Sequence, residues 1–305
     1  MATVRTYAEV LALEPNEAET KLITACKAGE QCILGDGTCP TEPDSTRNIR
    51  ADVLRYLRLG GCTDCPVDGL GVWLRGGCIS GQVDINLASI HGATLLQNCR
   101  FENCFESIQT RFKLVSLTGS SLAGWFAQGA QIEGTVFLCD AVSSDTISLF
   151  GTTIGGQLDC KGAVFSNSAG ATLDAGSAKI AGNVILRKID SYGTVHLAGA
   201  HIGGQLDGEG AKFEVGDKTA LSAHSAAVEG HVLLNGVTAS GHIDFDGASI
   251  GGQLSCVSAQ IKTQNRYAIT ASKARISGGV FLNVKEAQEG NVLTPFHGTG
   301  EIRLN

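Results

Sequence analysis

VHLAGAHIGGQLDGEGAKF, residues 195–213, has two near copies, ISLFGTTIGGQLDCKGAVF at 147–165 and IDFDGASIGGQLSCVSAQI at 243–261. Successive copies start 48 residues apart, and each holds an apolar residue followed two positions later by glycine, a polar residue and Leu or Val. That shorter pattern occurs eight times, starting at Ile79, Ile132, Ile154, Ile180, Ile202, Val228, Ile250 and Ile276. From Ile132 onward the starts are 22, 26, 22, 26, 22 and 26 residues apart. A fixed period of this kind is the mark of a solenoid, here with two turns per 48-residue unit and one turn four residues longer.

Apolar or small residues alternate over short distances, as in Val195, Leu197, Ala200, Ile202, Leu206, Ala211 and Phe213. Apolar residues one apart suit strands of two or three residues with both ends pointing inward, and no helical period is present. Gly81, Gly134, Gly156, Gly182, Gly204, Gly230, Gly252 and Gly278 hold the same place in the eight patterns. A corner needs glycine there for positive φ or for close backbone approach. The expected fold is all-β: a right-handed parallel β-helix, four-sided, with 22- and 26-residue coils over residues 72–305.

Residues 1–71 read instead as a small α-helical N-terminal cap, needed to cover the first coil's open edge. One helix is expected from Pro15 to Lys27, with Leu22, Ile23 and Cys26 inward and Gly29 as its stop. A second is expected after a Ser45 or Thr46 cap, with Ile49, Val53, Tyr56 and Leu57 inward and Arg47, Arg50, Arg55 and Arg58 outward. At the other end Glu301-Ile-Arg-Leu304 matches the opening strand of a coil after an eleven-residue insertion. The expectation there is a longer solenoid or a last coil covered by a homodimer partner.

Forty glycines, five prolines and six per cent aromatics fit a solenoid, and no apolar run or signal-like N-terminus points to a membrane. A cytoplasmic setting follows, in which the eleven cysteines are mostly reduced. The net charge is −7, of which residues 1–71 (7 Lys/Arg, 11 Asp/Glu) carry −4 and the solenoid (16 against 19) carries −3.

The run from Asn48-IRADVLRYLRLGG through Gly71-VWLRGGCISGQVDI to the IGGQLD units resembles a group of bacterial proteins related to pentapeptide-repeat proteins. They often carry the label "membrane-associated oxidoreductase", and the resemblance runs from about residue 15 to the end of the chain. No Gly-x-Gly-x-x-Gly links a strand to a helix here, and nothing resembles a flavin, haem or iron–sulfur site. Other pentapeptide-repeat proteins are acidic β-helices that mimic DNA and bind topoisomerases, so the resemblance also implies that possibility. A duplex mimic needs charge on the scale of one per ~1.7 Å, and −3 over the solenoid argues against nucleic-acid mimicry.

In a solenoid, function is read down columns. The column Ser148, Asp174, His196, Ser222, Asp244, Thr270 places Asp174, His196 and Ser222, the residue types of a nucleophilic triad, on consecutive outward positions. Short polar residues on an exposed β-face would look the same. A second column, Gln82, Thr135, Gln157, Asn183, Gln205, His231, Gln253 and Gly279, reads as a corner ladder bonding coil to coil.

A third column puts Phe137, Ile185, Leu233 and Phe281 outward on every second coil, with Asp84, Asp159, Asp207 and Ser255 elsewhere at that position. This stripe is either covered by the extra residues near Asn167–Ala171, Asp217–Ala220 and Asn265–Ala268, or it is the surface for a protein partner. Cys32, Cys39, Cys62 and Cys65 are candidate zinc ligands, with free or redox-active thiols as the alternative. Cys160 and Cys256 read as core. Trp73, Trp125 and Tyr192 are expected outward and too scattered for a carbohydrate platform.

The sequence therefore favours a non-enzymatic rigid scaffold that binds a macromolecular partner. A hydrolase built on Asp174, His196 and Ser222 and a topoisomerase-directed regulator are the alternatives.

Overall fold

In the computed structural model, which describes residues 5–264, 266–282, 296–299 and 301–304, the repeats form a parallel β-solenoid with four walls per coil. One coil runs through Val136–Phe137 (wall 1), Val142–Ser143 (wall 2), Ile147–Ser148 (wall 3) and Thr153–Ile154 (wall 4). It returns to wall 1 at Leu158–Asp159. Each strand pairs in parallel with the same wall of the next coil: Val136 with Leu158, Val142 with Val164, Ile147 with Leu173, Thr153 with Lys179. Walls 2 and 3 merge into one sheet where long strands such as Lys212–Ser222 carry through the corner between them.

The extra residues of the longer coils lie at that corner. The register breaks between Ser166 and Ala171 and between Glu214 and Thr219, as the chain passes from wall 2 to wall 3. These two segments lie at that corner and not over wall 1; Asn265, in the third segment expected to cover it, lies outside the described residues.

Between walls 4 and 1 the repeated glycines form a spine. The N–H of each donates to the carbonyl of the glycine one coil back: Gly156 to Gly134 (3.0 Å), Gly182 to Gly156 (2.8 Å), Gly204 to Gly182 (3.0 Å), Gly230 to Gly204 (2.8 Å), Gly252 to Gly230 (2.8 Å) and Gly278 to Gly252 (2.8 Å). A Cβ on Gly182 would lie 2.9 Å from the Gly156 oxygen, and one on Gly230 2.8 Å from the Gly204 oxygen. Close backbone approach explains these glycines, since their φ angles are not left-handed.

Gly81 is different. Its φ is 78°, and Ile79 pairs with Ile49 and Phe101 on wall 2. The Ile79 pattern thus turns the corner from wall 2 to wall 3 and is out of phase with the other seven. This also removes Gln82 and Asp84 from the columns to which the pattern assigns them; Val83–Asp84 pairs with Phe105–Glu106 on wall 3.

The inward columns make one continuous core. Wall 4 contributes Ile132, Ile154, Ile180, Ile202 and Val228, and wall 1 contributes Val136, Leu158, Val184, Leu206 and Val232, all essentially inaccessible to solvent. Cys160 and Cys256 are buried, as expected of core residues. Trp125 is buried too, against the expectation that it faces outward. It stacks on Phe105 at 5.9 Å, and its indole N–H donates to Ser107 Oγ at 2.8 Å, which satisfies the only polar atom it takes into the core.

The cap has three helices: α1 (Tyr7–Ala12), α2 (Glu17–Ala28) and α3 (Ala51–Arg58). Asn16 caps α2 in a capping box with Glu19, and Gly29 ends it in the left-handed conformation. Helix α3 starts later than expected because Asn48–Arg50 is a strand paired with Cys78–Ser80. Cys32–Ile33 likewise pairs with Leu74–Arg75, so the cap segment itself supplies the first rungs of walls 1 and 2.

The expected exposed arginine face does not form. Arg47 and Arg50 precede the helix, Arg50 binds Glu19, and Arg58 is buried with Nη1 on the Ala93 carbonyl at 2.6 Å. Burial pushes the Arg58 guanidinium down to about 9. At the other end Glu301–Arg303 pairs with Tyr267–Thr270, the further rung expected there. The insertion before it lies largely outside the described residues.

Candidate functional site

Wall 1 presents a column whose chemistry alternates coil by coil. The ladder places Leu95, Ser116, Phe137, Asp159, Ile185, Asp207, Leu233, Ser255 and Phe281 on successive rungs. Phe137, Ile185 and Leu233 are half-buried and Phe281 is 42% exposed, whereas Ser116, Asp207 and Ser255 are buried. Asp159 is half-buried like the apolar residues beside it, and the apolar residues recur every two coils, about 9.6 Å. Leu95 and Ser116 belong to this column although they lie outside the 48-residue repeat.

Two residues further along each coil runs a parallel column: Thr118, Cys139, Lys161, Arg187, Glu209, Asn235 and Val257. Arg187 binds Asp207 at 2.6 Å and Glu209 at 3.3 Å. Asn235 donates to Glu209 at 3.0 Å and accepts from Ser255 Oγ at 2.6 Å. These bonds hold the side chains beside the apolar residues in fixed positions. The same periodicity marks this column in the sequence, two residues after each member of the first.

The corner ladder carries structure. Thr135, Asn183 and His231 accept from the backbone N–H of Gln157 (3.4 Å), Gln205 (2.9 Å) and Gln253 (3.1 Å) on the following coil. Their side chains occupy the space where a Cβ on Gly156, Gly204 or Gly252 would go, which accounts for the second glycine of Ile-Gly-Gly-Gln-Leu.

On wall 3 the ladder brings Asp174, His196 and Ser222 onto consecutive rungs. His196 Nδ1 lies 2.9 Å from Asp174 Oδ1, and the same carboxylate oxygen accepts from the Gly176 N–H at 3.0 Å. No hydrogen bond joins His196 to Ser222 among the described residues. The wall gives an aspartate–histidine pair without an engaged nucleophile among the described residues.

Cys32 is buried in its strand, Cys39 is half-buried in the loop after it, and Cys62 faces Cys65 across a two-stranded hairpin. Among the described residues no three or more His, Cys, Asp or Glu side chains are grouped to hold a metal ion. Burial pushes the Cys26 thiol up to about 12 and Cys32 to about 11. Cys62 goes the other way: the Tyr56 hydroxyl donates to its Sγ at 3.2 Å and, with nearby backbone N–H groups, holds the thiol below its ordinary value against a smaller opposing effect of burial. Cys62 is therefore expected to be alkylated first by iodoacetamide at neutral pH, several-fold more slowly in Tyr56→Phe. Peptide mapping that finds Cys104 or Cys139 modified first would contradict this.

A shallow groove of about 800 Å³ lies along α2, lined by Pro15, Thr20, Lys21, Thr24 and Ile33, among others. No helix among the described residues is long and apolar enough to cross a membrane. No model of a known protein family, no curated protein and no solved structure matches the chain.

Proposed function

We propose that the protein is a non-enzymatic rigid scaffold that binds a macromolecular partner through wall 1, with Phe137, Ile185, Leu233 and Phe281 as the contact stripe. The observation that carries this reading is the row of half-exposed apolar side chains on a wall that the longer coils' extra residues leave uncovered. Apolar side chains repeated along one uncovered face of a solenoid suit an interaction face.

The backbone of wall 1 is tied to coils above and below over its length, and the residues beside the stripe are held by hydrogen bonds. Binding there would order little, which removes the loop- and side-chain-ordering part of the association cost. The aspartate–histidine pair on wall 3 offers much less: it has neither an engaged nucleophile nor a wall that excludes water.

A photoreactive residue at position 137 is expected to form adducts in cells, whereas the same residue at Lys179 on wall 4 is not. Leu233→Ser in the position-137 variant is expected to reduce the adducts at least tenfold with unchanged circular dichroism. Equal labelling from both walls, or no adduct from either, would remove the reading; unfolding of the Leu233→Ser chain would show that the stripe is internal packing.

A further inference from the structure

We propose that Cys62 and Cys65 form a thiol–disulfide exchange site, a dithiol that reduces a low-molecular-weight disulfide and closes to an intramolecular disulfide. The site lies in the cap and does not rest on the wall-1 reading.

The geometry comes from the hairpin that follows α3. Gly61–Cys62 pairs antiparallel with Cys65–Pro66, and the register sets Cys62 directly opposite Cys65, with Thr63 and Asp64 as the turn. Residues directly opposite in an antiparallel pair carry their side chains on one face, with Cα atoms ~4.5–5.5 Å apart, and a disulfide spans ~4.4–6.8 Å between Cα atoms. The pairing thus meets the distance a disulfide needs with the backbone as it stands. Gly61 sits at φ 68°, where a Cβ would collide with the Cys65 carbonyl, so glycine lets the two strands close. Backbone N–H groups of Asp64 and Cys65 donate to Cys62 Sγ, which holds that sulfur over the turn, toward Cys65.

The two thiols differ as attacking and resolving thiols do. Cys62 is half-buried beside the exposed Thr63 and Asp64 and is open to a small substrate, whereas Cys65 is inaccessible to solvent. The Tyr56 hydroxyl donates to Cys62 Sγ at 3.2 Å and holds that thiol below its ordinary value, which favours the thiolate. Burial keeps Tyr56 protonated, so it remains a donor. Burial also pushes the Cys65 thiol up, an effect that Lys27 and Tyr56 partly offset, so Cys65 rests as the thiol.

In the exchange, the Cys62 thiolate attacks one sulfur of the substrate R–S–S–R. A bond forms between Cys62 and that sulfur, the substrate S–S bond breaks, and RS⁻ leaves, taking from water the proton that Cys62 had released. Cys65 then gives up its proton and attacks Cys62 Sγ. The Cys62–Cys65 bond forms, the mixed disulfide breaks, and the second RS⁻ takes up that proton. The protein dithiol loses two electrons, and the substrate gains them as two RSH molecules.

The test treats the reduced chain with glutathione disulfide at about pH 7, quenches it with N-ethylmaleimide and digests it with trypsin. Cys62 and Cys65 share the tryptic segment 59–75, which is expected to emerge two hydrogens lighter and unalkylated. Cys65→Ser is expected to accumulate the glutathione mixed disulfide on Cys62 about tenfold above the unaltered chain, and Cys62→Ser to slow reaction at Cys65 about tenfold. Tyr56→Phe is expected to slow the first step several-fold and to move its pH profile upward; an unmoved profile would overturn the part given to Tyr56. Alkylation of both thiols of segment 59–75 after treatment, or a link from either to another cysteine, would overturn the proposal. So would a folded Cys65→Ser chain that gathers no mixed disulfide. The mapping of the unaltered chain decides the matter even where a variant fails to fold.

Discussion

Gly204→Ala is expected to destabilise the protein by about 3 kcal/mol, at the upper end for overpacking of a close-packed interior. The new Cβ would lie 2.9 Å from the Gly182 carbonyl carbon and 3.0 Å from the Asn183 nitrogen, distances that real Cβ atoms scarcely show. The backbone cannot give way locally. Gly204 donates to Gly182 at 3.0 Å and accepts from Gly230 at 2.8 Å, so opening one contact stretches the next. Urea denaturation measures the loss, and hydrogen exchange should show it concentrated in the coils on either side of residue 204. Two comparisons isolate the cause. Gly170→Ala, whose Cβ would meet nothing within 4 Å, is expected to change stability by less than about 0.5 kcal/mol. Adding Asn183→Ala to Gly204→Ala relieves the side-chain clash but leaves the backbone one, so most of the loss should remain. Full recovery in the double variant would show that the side chain, and not the glycine spine, sets the requirement.

That spine also explains why so much of the fold is legible in the sequence. A corner where backbone rests on backbone leaves little room for a side chain, so glycine recurs there in every coil from Gly134 to Gly278, and the spacing of those glycines makes the 22/26 alternation readable. The failures have physical causes as well. Ile79-Ser-Gly-Gln-Val has the right five residues, but a pattern that short cannot say which of four corners it turns. Only the pairing of Ile79 with Ile49 and Phe101 places it on wall 2. The sequence points to a helix after Ser45 or Thr46 because either can cap it and Ile49, Val53, Tyr56 and Leu57 fall on one helical face. Strand pairing claims Asn48–Arg50, and the remaining turns point Arg58 into the protein, toward Ala93 and Thr94. Trp125 is inward at the offset the repeat assigns, since it precedes Ile132 by seven residues as Ile147 precedes Ile154 and Val195 precedes Ile202. The alternation of Phe137, Ile185, Leu233 and Phe281 was legible; which walls lie bare was not, because the position of the extra residues depends on the corner they occupy.

Glu19→Gln is expected to cost about 2–3 kcal/mol, less than a fully buried pair because Arg50 is about one-third exposed. The Glu19 carboxylate is buried and accepts four bonds: from Arg50 N (2.9 Å), Nε (2.8 Å) and Nη2 (2.6 Å), and from Asn16 N (3.1 Å). It joins α2 to the first rung of wall 2, where Arg50 pairs with Ser80. Glutamine preserves the shape but turns an amide N–H₂ toward the guanidinium and leaves that cation without its counter-charge. The pH dependence separates this electrostatic loss from a packing defect. Burial alone would raise the Glu19 carboxyl above its ordinary 4.5, but hydrogen bonds from the Arg50 side chain and from the Arg50 and Asn16 backbone outweigh it, and the carboxyl lies below that value. A depressed carboxyl contributes stability that is fully present above its unfolded value and is lost as pH falls through the folded one. The gap between wild type and Glu19→Gln should therefore hold steady from about pH 8 to 5 and narrow below about 4.5. A gap independent of pH down to the acid transition would mean that the glutamine disturbs packing, and that the ion pair does not secure the cap to the solenoid.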